Sequence, residues 1–312
     1  VSEEKQNKFA FIRKMGPLLG LLLLGLTLTI LSDRFLTVNN LLNVTRQISI
    51  NAIISVGMTL VILTGGIDLS VGSIVALTGS ITAGLLVGGQ SIFLAILVGM
   101  LVGVTLGLCN GLLITRGRIP PFIATLGIMT AARGFTLVYT EGRPITGMGE
   151  GFRFLGGGYI GGIPVPVIIM IIIFIATYIM LKKTRLGRYI YAIGGNEEAA
   201  RLSGINTKKI LLSVYALGGL LAGFSGIIMA SRLNSAQPTA GISFELDAIA
   251  AVVLGGTSLA GGVGTIGGTL IGAFIIGILD NGLNLLNVSS FYQQVAKGFV
   301  ILLAVFLDQK RK

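Results

Sequence analysis

Apolar residues in this chain fall in long runs rather than in the one-faced or alternating patterns of a soluble domain. The stretch from Val165 to Leu181, VPVIIMIIIFIATYIML, carries no charge, and its length approaches the roughly 20 residues a helix needs to cross a hydrocarbon core. Runs bounded by charge, glycine or proline predict ten spans, near 15–31, 48–64, 71–88, 92–115, 122–138, 164–181, 210–230, 245–259, 263–280 and 291–307. The segments at 48–64 and 245–259 are short for a full crossing and are followed by glycine pairs, so short or broken spans are expected there. The pattern therefore reads as an all-α membrane protein. Residues 1–312 form one transmembrane domain, with a cytoplasmic loop at 182–209 and the largest external loop at 139–163.

The placement of Lys and Arg orients these spans, because basic residues concentrate in cytoplasmic loops. With the N-terminus inside, the inner segments hold Lys5, Lys8, Arg13, Lys14, Arg116, Arg118, Lys182, Lys183, Arg185, Arg188, Arg201, Lys208, Lys209, Lys310, Arg311 and Lys312. The outer segments keep only Arg34, Arg46, Arg143, Arg153 and Arg232. This asymmetry puts both termini in the cytoplasm and requires an even number of crossings. The first apolar segment lacks a small-residue cleavage site before its flank and is read as retained.

Composition narrows the chemistry further. Only 11% of residues are charged and 47 are glycine; soluble domains carry about 25% charged residues, and small residues allow helices to approach closely in lipid. Histidine is absent and Cys109 is the single cysteine. Imidazole catalysis, an internal disulfide and the usual zinc ligand sets are thereby excluded, and no catalytic or metal-binding residues are assigned. The formal charge of +11 follows the inside loops, so no nucleic-acid partner is inferred from it. No G-x-x-x-x-G-K-[ST] occurs, so a nucleotide-driven process would need its phosphate-binding loop on another chain.

Two glycine-rich stretches look related, LTGGIDLSVGS at 63–73 and LGGTSLAGGVG at 254–264. Laying Gly65 and Gly66 on Gly255 and Gly256 brings Leu69 onto Leu259 and Gly72 onto Gly262. Glycine-rich hairpins also look alike by chance, but repeated short spans are where transporters place their pathway.

The inner loop at 182–209 predicts a short helix. Asn196 suits the N-cap, Glu197 and Glu198 suit the first turn, and Gly204 suits the stop. Glu198, Ala199, Ala200 and Gly204 reproduce the E-A-A-x-x-x-G signature of ABC-importer membrane subunits. The blocks GGIDLSVGS at 65–73, PPFIATLG at 120–127, NEEAARLSGI at 196–205 and ELDAIAAVVLGGTSLAGGVGT at 245–265 extend that likeness over nearly the whole chain. The sequence resembles the branched-chain amino-acid and monosaccharide permease family, on its sugar branch, and LVYTEGRP at 137–144 is similar to its ribose-transporting members. The resemblance implies a multi-pass subunit of a bacterial cytoplasmic-membrane importer, moving ribose or a related monosaccharide. It implies a homodimer of permeases, an ATP-binding subunit and an extracytoplasmic sugar-binding protein as partners. It also implies no cofactor in this chain, with ATP and Mg held by the partner ATPase. Glu198, Ala199, Ala200, Arg201 and Gly204 would dock that ATPase, with Glu198 and Arg201 free to pair across the interface.

Polar residues within the spans are candidates for a translocation path. Asp68 lies where an ionised carboxylate costs about 2.5–3.5 kcal/mol at a helix centre; it or Ser70 can cap the following helix or line a sugar route. Asn51 can hydrogen-bond a polyol or join two helices. Glu245, Asp247 and Asp280 read as interfacial solvation or capping, with contact to an external binding protein as the alternative. Arg133 and Lys297 read as snorkelling or paired. Tyr139, Tyr159, Tyr189 and Tyr191 suit an aromatic belt. An ion-coupled secondary transporter with Asp68 and Asp280 as relay is the competing function.

Overall fold

The computed structural model describes the backbone of residues 2–309 and the side chains of 16–303, 305 and 306. The orienting charges Lys5, Lys8, Arg13 and Lys14 at one end, and Lys310, Arg311 and Lys312 at the other, lie outside the described side chains. The fold is helical apart from two antiparallel pairs of two-residue strands. In chain order the elements are α1 (Ser2–Leu31), α2 (Val38–Leu63), α3 (Val71–Val87), α4 (Ile92–Thr115), α5 (Pro121–Thr140), β1 (Ile145–Thr146), α6 (Glu150–Gly157), β2 (Tyr159–Ile160), β3 (Ile163–Pro164), α7 (Val165–Lys183), α8 (Arg185–Gly195), α9 (Glu197–Leu202), α10 (Thr207–Leu233), β4 (Ser235–Ala236), α11 (Phe244–Leu254), α12 (Ile266–Leu285) and α13 (Ser290–Gln309). Among the described residues six helices, α2, α4, α5, α7, α10 and α12, have the length and apolarity to cross a membrane. The apolar part of α1, from Gly16 to Leu31, and α3 are shorter.

Local chemistry sets the helix starts. Ser91, Thr184, Asn206 and Thr265 each accept a hydrogen bond from the backbone N–H three residues on, as N-caps do. Prolines stand in the first turns of α5 and α7, where their missing N–H costs nothing.

The span expected to be short near 48–64 is instead the 26-residue α2. Its first turns were hidden by Asn39, Asn40, Asn43, Arg46 and Gln47, polar residues that are accommodated by partners. Asn40 and Asn281 exchange amide hydrogen bonds of 2.9 and 3.0 Å, and Arg46 stacks over Tyr159 at 4.9 Å and hydrogen-bonds its hydroxyl. From Ile48 to Leu63 almost every residue of α2 is buried, which makes it the centre of the bundle, with α7, α10, α11 and α12 around it. The broken region at 245–259 is borne out, since α11 has only 11 residues.

Glycine seams draw the remaining helices together. A Cβ on Gly103 would lie 2.5 Å from the carbonyl oxygen of Gly219 and 3.1 Å from Cα of Gly223, and one on Gly57 would lie 3.1 Å from Cα of Gly218. Backbones of α4, α2 and α10 therefore meet with no side chain between them, the close approach that substitutes for hydrophobic driving force in lipid. Isoleucines of α7, among them Ile171, Ile172, Ile175 and Ile179, face outward.

Two irregular segments interrupt this bundle. Residues 64–70 join α2 to α3, and residues 237–243 lead into α11; the second segment meets the first turn of α3 backbone to backbone where Gly241 lies against Gly72. Gly241 is held at φ 70°, a conformation that glycine adopts without a Cβ penalty.

Candidate functional site

The segment 182–209 folds as α8 and α9, and α9 matches the helix expected there. Asn196 Oδ1 accepts from the Ala199 N–H at 2.9 Å, and Gly204 ends the helix at φ 84°. Ala200 is buried with Ile193 of α8 and Leu211 of α10, so one side of this short helix is anchored. Leu202 is 74% exposed, and Glu198 and Arg201 also face outward. Those two residues pair with each other at 2.5 and 3.0 Å, an i,i+3 fit on one helix face. Hydrogen bonding from Arg201 holds the Glu198 carboxyl below its ordinary range. The helix α8 was not expected from the sequence; its buried residues Gly187, Ile190 and Ile193 give the one-sided signal that could have revealed it.

The two glycine-rich stretches form the same turn. In the first, Gly65 N–H donates to Ile62 O at 2.9 Å and Gly66 N–H to Val61 O at 3.2 Å. In the second, Gly256 N–H donates to Val253 O at 2.9 Å and Thr257 N–H to Val252 O at 3.1 Å. These are paired Schellman closures, with Gly65 at φ 80° and Gly256 at φ 88° as the left-handed residues. Gly65 thus corresponds to Gly256, one residue away from the register read in the sequence, because the φ requirement falls on one glycine of each pair. The two turns touch: Gly262 N–H donates to Leu63 O at 3.0 Å.

Behind the first turn lies a polar cluster. Asp68, Ser70 and Asn110 are fully buried. Asp68 Oδ1 accepts from the Ser70 N–H at 2.8 Å and the Ser70 hydroxyl at 2.6 Å, and Ser70 Oγ accepts from Asn110 Nδ2 at 2.8 Å. Asp68 closes a local turn before α3, and neither it nor Ser70 makes a side-chain cap bond to that helix. Among the described residues Asp68 Oδ2, Asn110 Oδ1 and the buried Tyr215 hydroxyl have no hydrogen-bond partner, and that hydroxyl sits against Gly66. Asn51 is not part of this group. It lies twelve residues before the end of α2, about 18 Å along the helix axis. Asn110 and Tyr215 were missed in the sequence, although an asparagine within the apolar run LGLCNGLL was a usable signal.

A cavity of about 710 Å³ opens beside the turn. Thr64, Gly65 and Gly66 line one wall, Thr115 to Pro121 contribute Arg118 and the α4–α5 connection, and Glu197, Arg201, Lys208 and Tyr215 complete it. One end of the bundle therefore gathers α8, α9, both glycine-rich turns and the α4–α5 connection. The opposite end gathers β1 paired to β4 and α6, where the Gly156 N–H donates to Ser231 Oγ at 2.7 Å.

Lys297, Asp247, Asp280 and Arg133 have partners within the fold. Lys297 of α13 bridges Asp247 of α11 at 3.0 Å and Asp280 of α12 at 2.9 Å, so Asp247 and Asp280 tie helices together and do not act as exposed interfacial groups. Arg133 donates to the carbonyls of Pro238 and Ala240, both at 2.8 Å, fastening α5 to the irregular segment before Glu245. Tyr191, read as an interfacial belt residue, donates to Gly264 O at 2.9 Å. Among the described residues no group of His, Cys, Asp and Glu side chains is disposed to hold a metal ion.

Residues 40–305 match the family described as branched-chain amino acid transport system / permease component. The chain is 58% identical to the ribose import permease protein of Bacillus subtilis (strain 168), over 99% of this chain and 97% of that relative. It is 54% identical to the ribose import permease protein of Escherichia coli (strain K12), over 100% and 98%. It is 42% identical to the D-allose transport system permease protein of Escherichia coli (strain K12), over 99% and 95%. No solved structure matches the chain.

Proposed function

The chain belongs to the branched-chain amino acid transport system / permease component family, and we propose that it passes ribose through the cytoplasmic membrane as the permease of an ABC importer. It is a multi-pass membrane subunit of a sugar importer. The observation that carries ribose over other monosaccharides is the identity of 58% and 54%, at nearly full length, to two ribose import permeases, against 42% to the allose permease.

In this reading ten crossings place both termini in the cytoplasm, together with α8, α9 and the cavity. Two copies of the chain surround the path, an ATP-binding subunit sits on α9, and a ribose-binding protein delivers sugar at the end that holds β1, β4 and α6. The exposed side of α9, with Glu198, Arg201 and Leu202, is the docking surface; Ala199 keeps it low, Ala200 anchors it and Gly204 ends it. Nucleotide binding and hydrolysis, with Mg, belong to the ATPase. Asp68 and Ser70 lie buried behind the Gly65–Gly66 wall of the cavity, and Asn51 contributes farther along α2. Together they present hydroxyl, amide and carboxylate oxygens to a small neutral polyol.

The test is reconstitution of the chain with its ATPase and a ribose-binding protein in liposomes. ATP-dependent ribose accumulation is expected; accumulation driven by a proton or sodium gradient without ATP would overturn the reading. A cysteine at Ser203 should also cross-link to the ATPase in the assembled complex, and no cross-link would count against docking at α9.

A further inference from the structure

Docking at α9 explains where force would enter but not how it would reach the helix breaks. The helix α9 is one and a half turns long and touches the bundle mainly through Ala200, which packs on Ile193 of α8. The next residue along α8, Gly194, sits where three backbone segments converge. A Cβ on Gly194 would strike the carbonyl oxygen of Leu63 and the amide nitrogen of Gly262. A Cβ on Gly261 would lie 2.9 Å from the Gly65 nitrogen and 3.0 Å from both Cα and O of Gly194, and one on Gly262 would lie 2.9 Å from the Gly195 nitrogen. One turn earlier, the Tyr191 hydroxyl holds the Gly264 carbonyl at 2.9 Å. The C-terminal carbonyl of Leu63, an orphan of α2, is satisfied by the Gly262 N–H across the same junction at 3.0 Å.

We infer that Tyr191 and Gly194 are positioning residues that couple displacement of α9 to both glycine-rich turns at once, through α8. The inference rests on the reading of α9 as the ATPase contact. Its physical basis is the absence of side chains at the junction. Displacement between packed side chains can be absorbed by rotamer changes, whereas backbone in contact with backbone has no such slack. The end of α2 and the turn between α11 and α12 are joined to each other and to α8, so they must follow it together. The first of those turns borders the cavity and leads to Asp68.

The experiment uses the assembled transporter, with ATPase and ribose-binding protein, in proteoliposomes. It compares the unsubstituted chain with Tyr191→Phe and Gly194→Ala. Three quantities are read: subunit stoichiometry, ATP hydrolysis stimulated by sugar-loaded binding protein, and ribose taken up per ATP hydrolysed. Stoichiometry and hydrolysis should persist, while uptake per ATP falls about fivefold for Tyr191→Phe, the value of one hydrogen bond, and further for Gly194→Ala. An unchanged ratio in Tyr191→Phe, or uptake and hydrolysis falling in proportion, overturns the inference, because a merely structural role predicts the latter. If Gly194→Ala fails to assemble, Tyr191→Phe decides alone, since it removes only a hydroxyl. Lack of ATP-driven uptake in the unsubstituted assembly would instead sink the proposed function, and the inference with it.

Discussion

Lys297 of α13 lies 3.0 Å from Asp247 of α11, and this contact, with Asp280 of α12 on the same ammonium at 2.9 Å, ties together three helices of the C-terminal third. Removing one partner of a buried ion group costs about 3–5 kcal/mol, because the remaining charge is left without compensation. Lys297→Met should therefore lower the thermal midpoint in detergent sharply. Adding Asp247→Asn and Asp280→Asn should recover most of the loss. A lone Lys297→Met variant as stable as the unsubstituted chain would show that the triad is not structural.

Arg133 satisfies two carbonyls that have no helix of their own to serve. Arg133→Leu should leave Pro238 O and Ala240 O unpaired at a cost of about 1–3 kcal/mol for each group. Arg133→Lys, with a single ammonium in reach, should lose less. Hydrogen exchange across residues 237–243 would register the difference, and equal protection in all three chains would refute it.

Asp68→Asn keeps an oxygen able to accept from the Ser70 amide and hydroxyl, so folding and assembly should be retained. If the charge serves the sugar route, ribose uptake should fall about tenfold, the scale of one charged hydrogen bond. Unchanged uptake would reduce Asp68 to a turn former.

Asn196→Ala removes the cap of α9 while leaving every docking side chain in place. Loss of an N-cap costs about 1 kcal/mol, which should weaken retention of the ATPase about fivefold in co-purification. Because α9 has six residues and is too short to persist alone, its amides should also exchange faster. If retention is unaffected, the shape of α9 does not govern docking.

Apolar runs, caps and glycines carried most of this architecture in the sequence. Long charge-free runs located α4, α7 and α10, and Asn196 and Gly204 bounded α9 correctly because capping is decided within a few residues. The beginning of α2 was illegible because Asn40 and Arg46 look like loop residues until Asn281 and Tyr159, more than a hundred positions away, are placed beside them. The polar cluster was half legible for the same reason. Asp68 and Ser70 are neighbours in sequence, whereas Asn110 and Tyr215 reach them only through the packing of α4 and α10. The hydrogen bond of Tyr191 was illegible because an aromatic near a membrane boundary has an adequate local explanation, and only the fold brings Gly264 beneath it.

The seam of Gly103 and Gly107 on α4 against Gly219 and Gly223 on α10 divides the molecule by its tolerance of change. On the outer face of α7 one isoleucine can be exchanged for another apolar residue with lipid simply flowing around it. At the seam even a single methyl group acts as a wedge driven between two backbones. Random mutation of the gene should accordingly leave α7 varied among surviving transporters, while Gly103, Gly107 and Gly219 return as glycine.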